Sequence, residues 1–136
     1  MPDCIFCKII TRALPANKVY EDDDTLAFLD IHPVNRGHTL VVSKKHYPDF
    51  INTPPEVLAN LMAIIQKITP AILEATGASS FNISINNGRE SGQVISHTHI
   101  HIIPRAKDDG LSMWPEQPAA ASDLEILARK IKEKIV

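Results

Sequence analysis

Three of the six histidines in this chain alternate along one short segment, SHTHIHIIPR, which spans residues 96–105. Side chains alternate between the two faces of a β-strand, so we expect His97, His99 and His101 to share one face. Three buried imidazoles without polar partners would be costly, and this face is therefore expected to border a cleft or polar partners. The residues between them would occupy the opposite face and pack on the core. Three surface histidines on an edge strand are the plain alternative.

Three kinds of chemistry suit this arrangement of imidazoles. They can hold a single metal ion, act as acid and base, or attack phosphorus as a nucleophile. For nucleophilic attack, a backbone carbonyl can hold Nδ1–H of the middle ring and leave Nε2 as a free lone pair. The triad contains no Asp or Glu, and the upstream segment SGQ (91–93) offers backbone N–H groups to an anion. These features favour phosphorus chemistry over a catalytic metal.

The two cysteines, Cys4 and Cys7, lie together in a CIFC segment near the start of the sequence. Two cysteines do not make a disulfide framework, and in a reducing compartment a CxxC pair fits half of a zinc site or a redox pair. A redox pair normally opens a helix after a core strand, and no strand precedes this one. Two unrelated buried cysteines remain the plain alternative.

Length and composition favour one domain over residues 1–136, with 106–136 forming a C-terminal arm and helix. The net charge of −2 gives no basic face, which argues against nucleic acid as a partner. The N-terminal segment lacks the apolar stretch of a signal peptide, and no apolar run approaches the roughly 20 residues of a membrane span. We therefore expect a cytoplasmic protein that does not bind membranes.

The hydrophobic pattern predicts about five strands, a long helix and shorter ones. Outside the long helix, the expected elements are a helix over 5–10, a hairpin with an acidic turn at 22–24, strands over 38–44 and 97–103, and a strand that runs into a loop over 81–88. Pro104 is expected to stop the last strand. Consecutive strands with few crossover helices indicate an α+β domain with an antiparallel sheet.

The long helix is indicated by apolar residues that recur every three or four positions in the middle of the chain. Thr53 fits its N-cap, and Glu56 completes a capping box. Pro70 is expected to kink or end the helix because it lacks an N–H, and Gly77 marks its latest end. The residues expected to face the core are Val57, Leu58, Leu61, Met62, Ile65 and Ile68.

The segment HTHIHII (97–103) resembles the signature of the histidine triad (HIT) family of nucleotide hydrolases and transferases. Further blocks in the same order are similar to the Hint-like branch in its bacterial, zinc-containing form. They are CIFCKII, LPANKVYEDD, LAFLDIHP, NRGHTLVVSKKH, NNGRESGQ and HIHIIPR. The resemblance implies a five-stranded antiparallel sheet with helices, and a homodimer whose sheet is continuous over ten strands.

The resemblance also implies an activity, a nucleotide phosphoramidase or nucleotidyl hydrolase that acts at the α-phosphorus of purine nucleotide derivatives. It implies that His99 is the nucleophile and forms a nucleotidyl-histidine, from which water releases a nucleoside monophosphate. His101 resembles the partner that contacts the phosphate and leaving group. His38 resembles a supporting histidine from an earlier strand.

The nucleotide-binding positions implied by the resemblance are spread over the chain. Asp30 matches the ligand of the ribose hydroxyls, and Asn86 and Gln93 match positions that contact ribose or phosphate. The positions that match the apolar base pocket are Ile5, Phe6, Ile9, Phe28 and Ile31. Ile9 fits plain core packing equally well. Val94 is a departure, since some Hint relatives carry there a hydroxyl residue that aids the leaving group.

The resemblance implies a structural zinc ion as cofactor. In zinc-containing members the metal is held by the CxxC, by the histidine of the KKH block and by the first histidine of the triad. Here these residues are Cys4, Cys7, His46 and His97. A Cys₂His₂ set suits a closed tetrahedral site with no position open to substrate.

The C-terminal region is the least regular part of the resemblance. Trp114 and the proline after it match a Trp-Pro segment of Hint proteins, where the tail reaches the active site of the partner. Residues 106–121 are expected to form an extended arm. A further helix through Ile135 is expected to follow, capped by Ser122 and Glu125.

Two other functions are open at this point. The chain could be a nucleotide-binding scaffold with little turnover, although every triad position is filled. It could also be a metal-dependent hydrolase in which His97, His99 and His101 hold one catalytic metal, and such an enzyme would lose activity on chelation.

Overall fold

Five strands form one antiparallel sheet in the computed structural model, which describes residues 3–136. The elements in chain order are α1 (Ile5–Ile10), β1 (Lys18–Glu21), β2 (Thr25–Leu29), β3 (Thr39–Ser43), α2 (Pro55–Thr76), β4 (Ser80–Ser84), a 3₁₀ turn (Arg89–Ser91), β5 (His99–Arg105) and α3 (Ala121–Lys134). The spatial order of the strands is β1-β2-β3-β5-β4, so β1 and β4 are the two edges. This confirms the predicted α+β class with a five-stranded antiparallel sheet.

The sheet has a core on each of its faces, because a helix covers each. Helix α2 packs on one face, and α1 packs on the other. In the pairing of β3 with β5, Leu40 lies opposite His101 and Val42 opposite His99. The two histidines therefore share the α1 face, while Ile100 turns to the α2 face. This separation keeps the polar face of β5 away from the larger apolar core.

Helix α2 begins and continues differently from the prediction. Its N-cap is Pro54 and has no side-chain cap, because the hydroxyl of Thr53 instead bonds the carbonyl of Asp49 at 2.6 Å and the hydroxyl of Thr98 at 2.7 Å. The helix also runs through Pro70, which lies on an exposed side of the helix. Gly77, in the left-handed region at φ 73°, ends it as expected.

Helix α2 is also long and apolar enough to cross a membrane by length and composition alone, with a mean hydropathy of 1.3. A single such helix is weak evidence, since the core helix of a globular domain meets the same test. Leu61, Ile65 and Ile68 are buried against the sheet as predicted. Met62, also expected in the core, is instead 45% exposed because it lies beside the β4 edge.

The C-terminal arm leaves the sheet at Arg105. The guanidinium of Arg105 bonds Asp109 at 2.7 Å and the carbonyl of Leu111 at 3.3 Å, which holds the start of the arm. Every residue from 111 to 136 is exposed. Helix α3 begins at Ala121 without a side-chain cap, so the predicted Ser122 cap is wrong. The serine lies inside the first turn.

Candidate active site

The three histidines of the triad are divided between the strand and the bend before it. Strand β5 begins at His99, and His97 lies in a bend at 95–97. All three rings stay on the α1 side, where Phe6 lies edge-on to His97 and to His99, with ring centroids 5.9 and 4.9 Å away. The prediction that a regular strand carries all three histidines is therefore wrong at His97.

The ring of His99 is held in one tautomer. Its Nδ1 lies 2.7 Å from the carbonyl oxygen of His97. A carbonyl only accepts, so Nδ1 carries the proton and Nε2 keeps its lone pair. Burial lowers the pKa of His99, which keeps the ring neutral at neutral pH. His99 therefore presents an unprotonated nitrogen on the side of the ring away from the backbone.

The ring of His101 is held in the opposite tautomer by a chain of hydrogen bonds. The backbone N–H of Val34 donates to Nδ1 of His38 at 3.1 Å, so the proton of His38 lies on Nε2. This Nε2 lies 2.9 Å from Nδ1 of His101, which must accept and must therefore carry its own proton on Nε2. Burial, then the neighbouring His99 and His38, lower the pKa of His101 to about 4, so the ring is neutral.

The Nε2 atom of His101 is buried and has no hydrogen-bond partner in the described part of the chain. Its ring centroid lies 4.9 Å from that of His99. A buried N–H donor without a partner is costly unless a ligand supplies the acceptor. His99 thus offers a lone pair, and the neighbouring His101 offers an N–H without a partner. This pair suits an anionic group that His99 attacks and His101 binds by a hydrogen bond.

A cavity of about 440 Å³ opens beside the two rings. Both His99 and His101 line it. Six of the eight predicted nucleotide-binding residues also line it, namely Ile5, Phe6, Ile9, Phe28, Asp30 and Ile31. Its largely apolar wall with one carboxylate is typical of a small-molecule site. Pro15 and Ala16 also line it and were missed, because the segment LPAN reads only as a break.

Asp30 contributes the carboxylate of this cavity. One of its oxygens accepts from the backbone N–H of His32 at 2.8 Å, which fixes the side chain. The other oxygen lies 3.7 Å from Nε2 of His38. The second oxygen retains capacity to accept from a ligand hydroxyl.

The two remaining predicted binding residues do not line the cavity. The amide of Gln93 accepts from the N–H of Gly88 at 2.9 Å and donates to the carbonyl of Pro48 at 2.9 Å. It therefore braces the loop rather than facing the ligand space. Asn86 does not line the cavity either, although its Nδ2 lies near Gly92, which does line it.

A second cluster joins residues from three distant parts of the chain. The ligand atoms of Cys4, Cys7, His46 and His97 all lie within 4.8 Å of one another. Sγ of Cys7 lies 3.4 Å from Nδ1 of His46 and 3.6 Å from Nδ1 of His97. The two Nδ1 atoms lie 3.1 Å apart. A zinc tetrahedron with two sulfur and two nitrogen ligands has S···N and N···N edges of about 3.3–3.6 Å. The two S···N distances agree with this range and the N···N distance is about 0.2 Å shorter, so the donor set fits the ion.

The hydrogen bonds around His97 support metal binding by the same cluster. Its Nε2 lies 2.8 Å from the carbonyl of Ser43, which fixes the proton there and leaves Nδ1 as a lone pair toward the sulfurs. Burial lowers the pKa of His97 and of His46, which keeps both imidazoles neutral and able to ligate. Burial and the neighbouring Cys4 raise the pKa of the Cys7 thiol, a cost that a bound cation would offset.

A single metal shared by the triad is not favoured by this geometry. The ring of His97 is turned into the cysteine cluster, and Nδ1 of His99 is occupied by a carbonyl. Asp30, His38 and His101 also lie within 4.8 Å of one another. There, however, the Val34 N–H occupies Nδ1 of His38, so its Nε2 holds a proton rather than a free lone pair.

The structure combines a five-stranded sheet, histidine rings on its inner strand β5 and a cysteine–histidine cluster beside them. This combination defines a class of protein. The HIT domain model matches residues 11–108, so the chain belongs to the HIT family. An adenylylsulfatase, HINT3 of Arabidopsis thaliana, is 47% identical over 124 residues, which cover 91% of this chain and 62% of that protein. Adenosine 5'-monophosphoramidase hnt1 of Schizosaccharomyces pombe is 37% identical, with coverage of 97% and 98%.

Solved structures show the same fold. SMU.412c of Streptococcus mutans UA159 is 41% identical and superposes with a TM-score of 0.94 over 100% of this chain and 87% of that one. A Zn-bound histidine triad family protein of Mycobacterium smegmatis is 38% identical, with a TM-score of 0.78 and coverage of 97% and 95%.

Proposed function

We propose that this protein is a nucleotide hydrolase of the phosphoramidase or nucleotidyl hydrolase type that cleaves at the α-phosphorus through a covalent bond to His99. The observation that carries the proposal is the pair of opposite tautomers at the cavity wall. His99 presents a lone pair, and His101 presents an N–H that lacks a partner. A nucleophile beside a hydrogen-bond donor suits substitution at a phosphoryl group, because the donor stabilises the charge that develops on the phosphoryl oxygens.

The first step forms a bond from Nε2 of His99 to phosphorus and breaks the bond from phosphorus to the leaving group. The Nε2–H of His101 donates a hydrogen bond to an oxygen of the phosphoryl group as charge develops there, and the leaving group departs as an acyl, sulfate or phosphate anion or, with a proton from solvent, as an amine. In the second step water attacks the same phosphorus and gives up its proton to solvent, and the bond to His99 breaks. A nucleoside monophosphate leaves, and His99 returns to its starting tautomer. The carbonyl of His97 stabilises positive charge on His99 through Nδ1–H at 2.7 Å.

The cavity supports a purine nucleotide as substrate class. Phe6 and Phe28 lie edge to face with centroids 5.6 Å apart and can pack against a planar base. Asp30 has an oxygen free to accept from ribose hydroxyls. Adenosine is further supported by the Arabidopsis relative, an adenylylsulfatase, and by the Schizosaccharomyces relative, an adenosine 5'-monophosphoramidase.

A quenched single turnover with α-³²P-labelled adenosine phosphoramidate tests the proposal. We expect an acid-labile, base-stable label on the wild-type protein and none on His99→Ala, while AMP binding by calorimetry persists in the variant. Normal turnover by His99→Ala would overturn the assignment of the nucleophile. AMP binding without turnover or label in the wild type would favour the scaffold, and turnover without label that is lost on chelation would favour a catalytic metal.

We also propose that Cys4, Cys7, His46 and His97 hold a structural zinc ion. A bound ion would cross-link α1 to the segment after β3, which carries His46, and to the segment before β5, which carries His97. The fit of the four ligand atoms to a tetrahedron supports this. The Zn-bound Mycobacterium smegmatis relative supports it as well. Reduced thiols are needed for such a site, which accords with a cytoplasmic location.

A homodimer through the β4 edge completes the proposal. Beside this edge lies an apolar groove of about 310 Å³ between β4 and α2, lined by Met62, Ile65, Gln66, Thr69, Pro70, Leu73, Phe81 and Ile83. Pairing two β4 edges would give a continuous ten-stranded sheet and cover an edge that otherwise invites association. The proposed unit is one HIT domain over residues 1–136, with 106–136 as its arm.

A further inference from the structure

Helix α3 carries an apolar face that its own chain does not cover. The residues on this face, which we call the α3 stripe, follow helical spacing and are Leu124, Leu127, Ala128, Ile131 and Ile135. All of them are exposed, and Ile131 is 53% exposed. The remaining apolar residue of the helix interior, Ile126, lies off the stripe. A face of this kind is typical of a helix that packs against something.

Few contacts with the rest of the chain stabilise the C-terminal arm and α3. The guanidinium of Arg105 contacts the arm no farther along the described chain than Met113, whose Sδ accepts from it at 3.7 Å. A 14-residue helix that packs on nothing is marginal in water. Yet the match to SMU.412c covers 100% of this chain with a TM-score of 0.94. The fold shared with SMU.412c therefore extends over the arm and α3, and a helix of this kind needs a packing partner outside its own chain.

A groove of complementary character lies at the opposite edge of the sheet from β4. This α2–β1 groove, of about 450 Å³, has a mostly apolar lining of Val19, Leu29, Ile68, Ala71, Ile72 and Ala75. Val19 is 45% exposed, and Leu29 is 36% exposed. The small side chains of Ala71 and Ala75, one turn apart on α2, would let the backbone of a second helix approach closely.

Charge at the groove matches the first half of α3. Arg36 and Lys67 line the groove. The first turns of α3 carry Asp123 and Glu125, whereas its last turn carries Lys132 and Lys134. Opposite charges beside an apolar contact select the direction in which the helix lies.

We propose that α3 of one chain docks its stripe in the α2–β1 groove of a second copy of this chain. Its acidic first half then lies near Arg36 and Lys67. The second copy is favoured over the chain's own groove because every residue of α3 is exposed and none of them lines this groove, so α3 does not occupy the groove of its own chain. Two copies related by a twofold axis exchange arms reciprocally, so both stripes and both grooves are covered. This surface lies away from the β4 edge and adjoins the catalytic cavity at Leu29, which lines both.

Carbodiimide cross-linking in a mixed sample tests this docking. Equal amounts of ¹⁵N-labelled and unlabelled full-length protein are equilibrated until native mass spectrometry shows exchanged dimers. The reagent then joins Lys67 to Asp123 or Glu125 as an amide. We expect peptide pairs with one labelled and one unlabelled half. The intrachain pair of Lys18 with Glu21, 3.0 Å apart, gives a same-label standard for the reaction.

Two matched variants make the result specific. Ile131→Gln removes a stripe residue and is expected to lower the mixed-label yield about tenfold. Ile126→Gln makes the same change off the stripe and is expected to keep the yield. Circular dichroism confirms that both variants retain α3. Same-label pairs alone, pairs between two α3 helices, or no pairs to Lys67 while the standard reacts would each overturn the proposal.

Discussion

The Nδ1 atom of His99 lies 2.7 Å from the backbone carbonyl oxygen of His97. The ring of His97 belongs to the cysteine–histidine cluster, while its backbone holds the ring of His99 in the tautomer with a free Nε2. The proposed metal site and the proposed nucleophile are therefore joined through one residue. Any change that moves His97 is expected to disturb the orientation of His99.

Loss of the proposed zinc ion should lower stability. Cys7→Ala removes one ligand and should lower the free energy of unfolding by several kcal/mol, because a bound metal adds its binding free energy to folding. Denaturant unfolding of the zinc-loaded protein measures this, with metal content from atomic emission. A chelator should destabilise the wild type and leave Cys7→Ala nearly unchanged. Equal sensitivity of the two proteins to chelator would contradict the ligand assignment.

His38 should act by positioning His101. His38→Phe removes the Nε2–H that fixes the tautomer of His101, and kcat is expected to fall about 10–100-fold with little change in the Kd for AMP. His38→Gln keeps an N–H donor and should recover part of kcat. A merely structural role would lower the stability of both variants without separating them in kcat.

Ile9 and Ile31 should differ, although both line the cavity. Ile9 is 8% exposed, so Ile9→Ala should cost about 2–4 kcal/mol of unfolding free energy through the cavity that it leaves. Ile31 is 76% exposed, so Ile31→Ala should leave stability within about 0.5 kcal/mol and weaken nucleotide binding. Thermal unfolding and calorimetry with AMP separate the two effects. Unchanged AMP binding by Ile31→Ala would remove it from the base pocket.

The β4 edge should control the dimer. Ile83→Lys places a charge in the apolar groove at the edge and should shift the protein from dimer to monomer in analytical ultracentrifugation, because an unpaired charge opposes burial. Ile51, which is 84% exposed and lies outside this groove, provides the control Ile51→Lys. A wild-type protein that sediments as a monomer would refute the interface.

His101 should make stability depend on pH. Burial lowers its pKa from 6.5 to about 4, so between these values the unfolded chain binds a proton that the native chain does not. Stability from this group is therefore complete above pH 6.5 and is lost as the pH falls toward 4, by about 2 kcal/mol. His101→Gln should lack this part of the decline. If the wild type and His101→Gln lost the same unfolding free energy between pH 7 and pH 4, the role of His101 burial would be contradicted.

Much of the site was accessible from local sequence patterns. Alternation in HTHIH placed His99 and His101 on one face of a strand, and the acidic turn at 22–24 marked the first hairpin. Both signals act between residues that are near in sequence, so they hold whatever the rest of the chain does. The long helix and its end at Gly77 follow for the same reason.

Only the tertiary structure decided which groups meet across long separations. The backbone N–H of Val34 sets the tautomers of His38 and His101. Every residue except proline has a backbone N–H, so the residue type at position 34 does not predict this role. Thr53 does not cap α2 as predicted, because its hydroxyl bonds the buried hydroxyl of Thr98 instead. These outcomes depend on packing and on satisfying buried polar groups, which are properties of the whole fold rather than of a segment. The sequence by itself determined the chemical groups and their strands and helices, and the fold determined the proton that each imidazole carries.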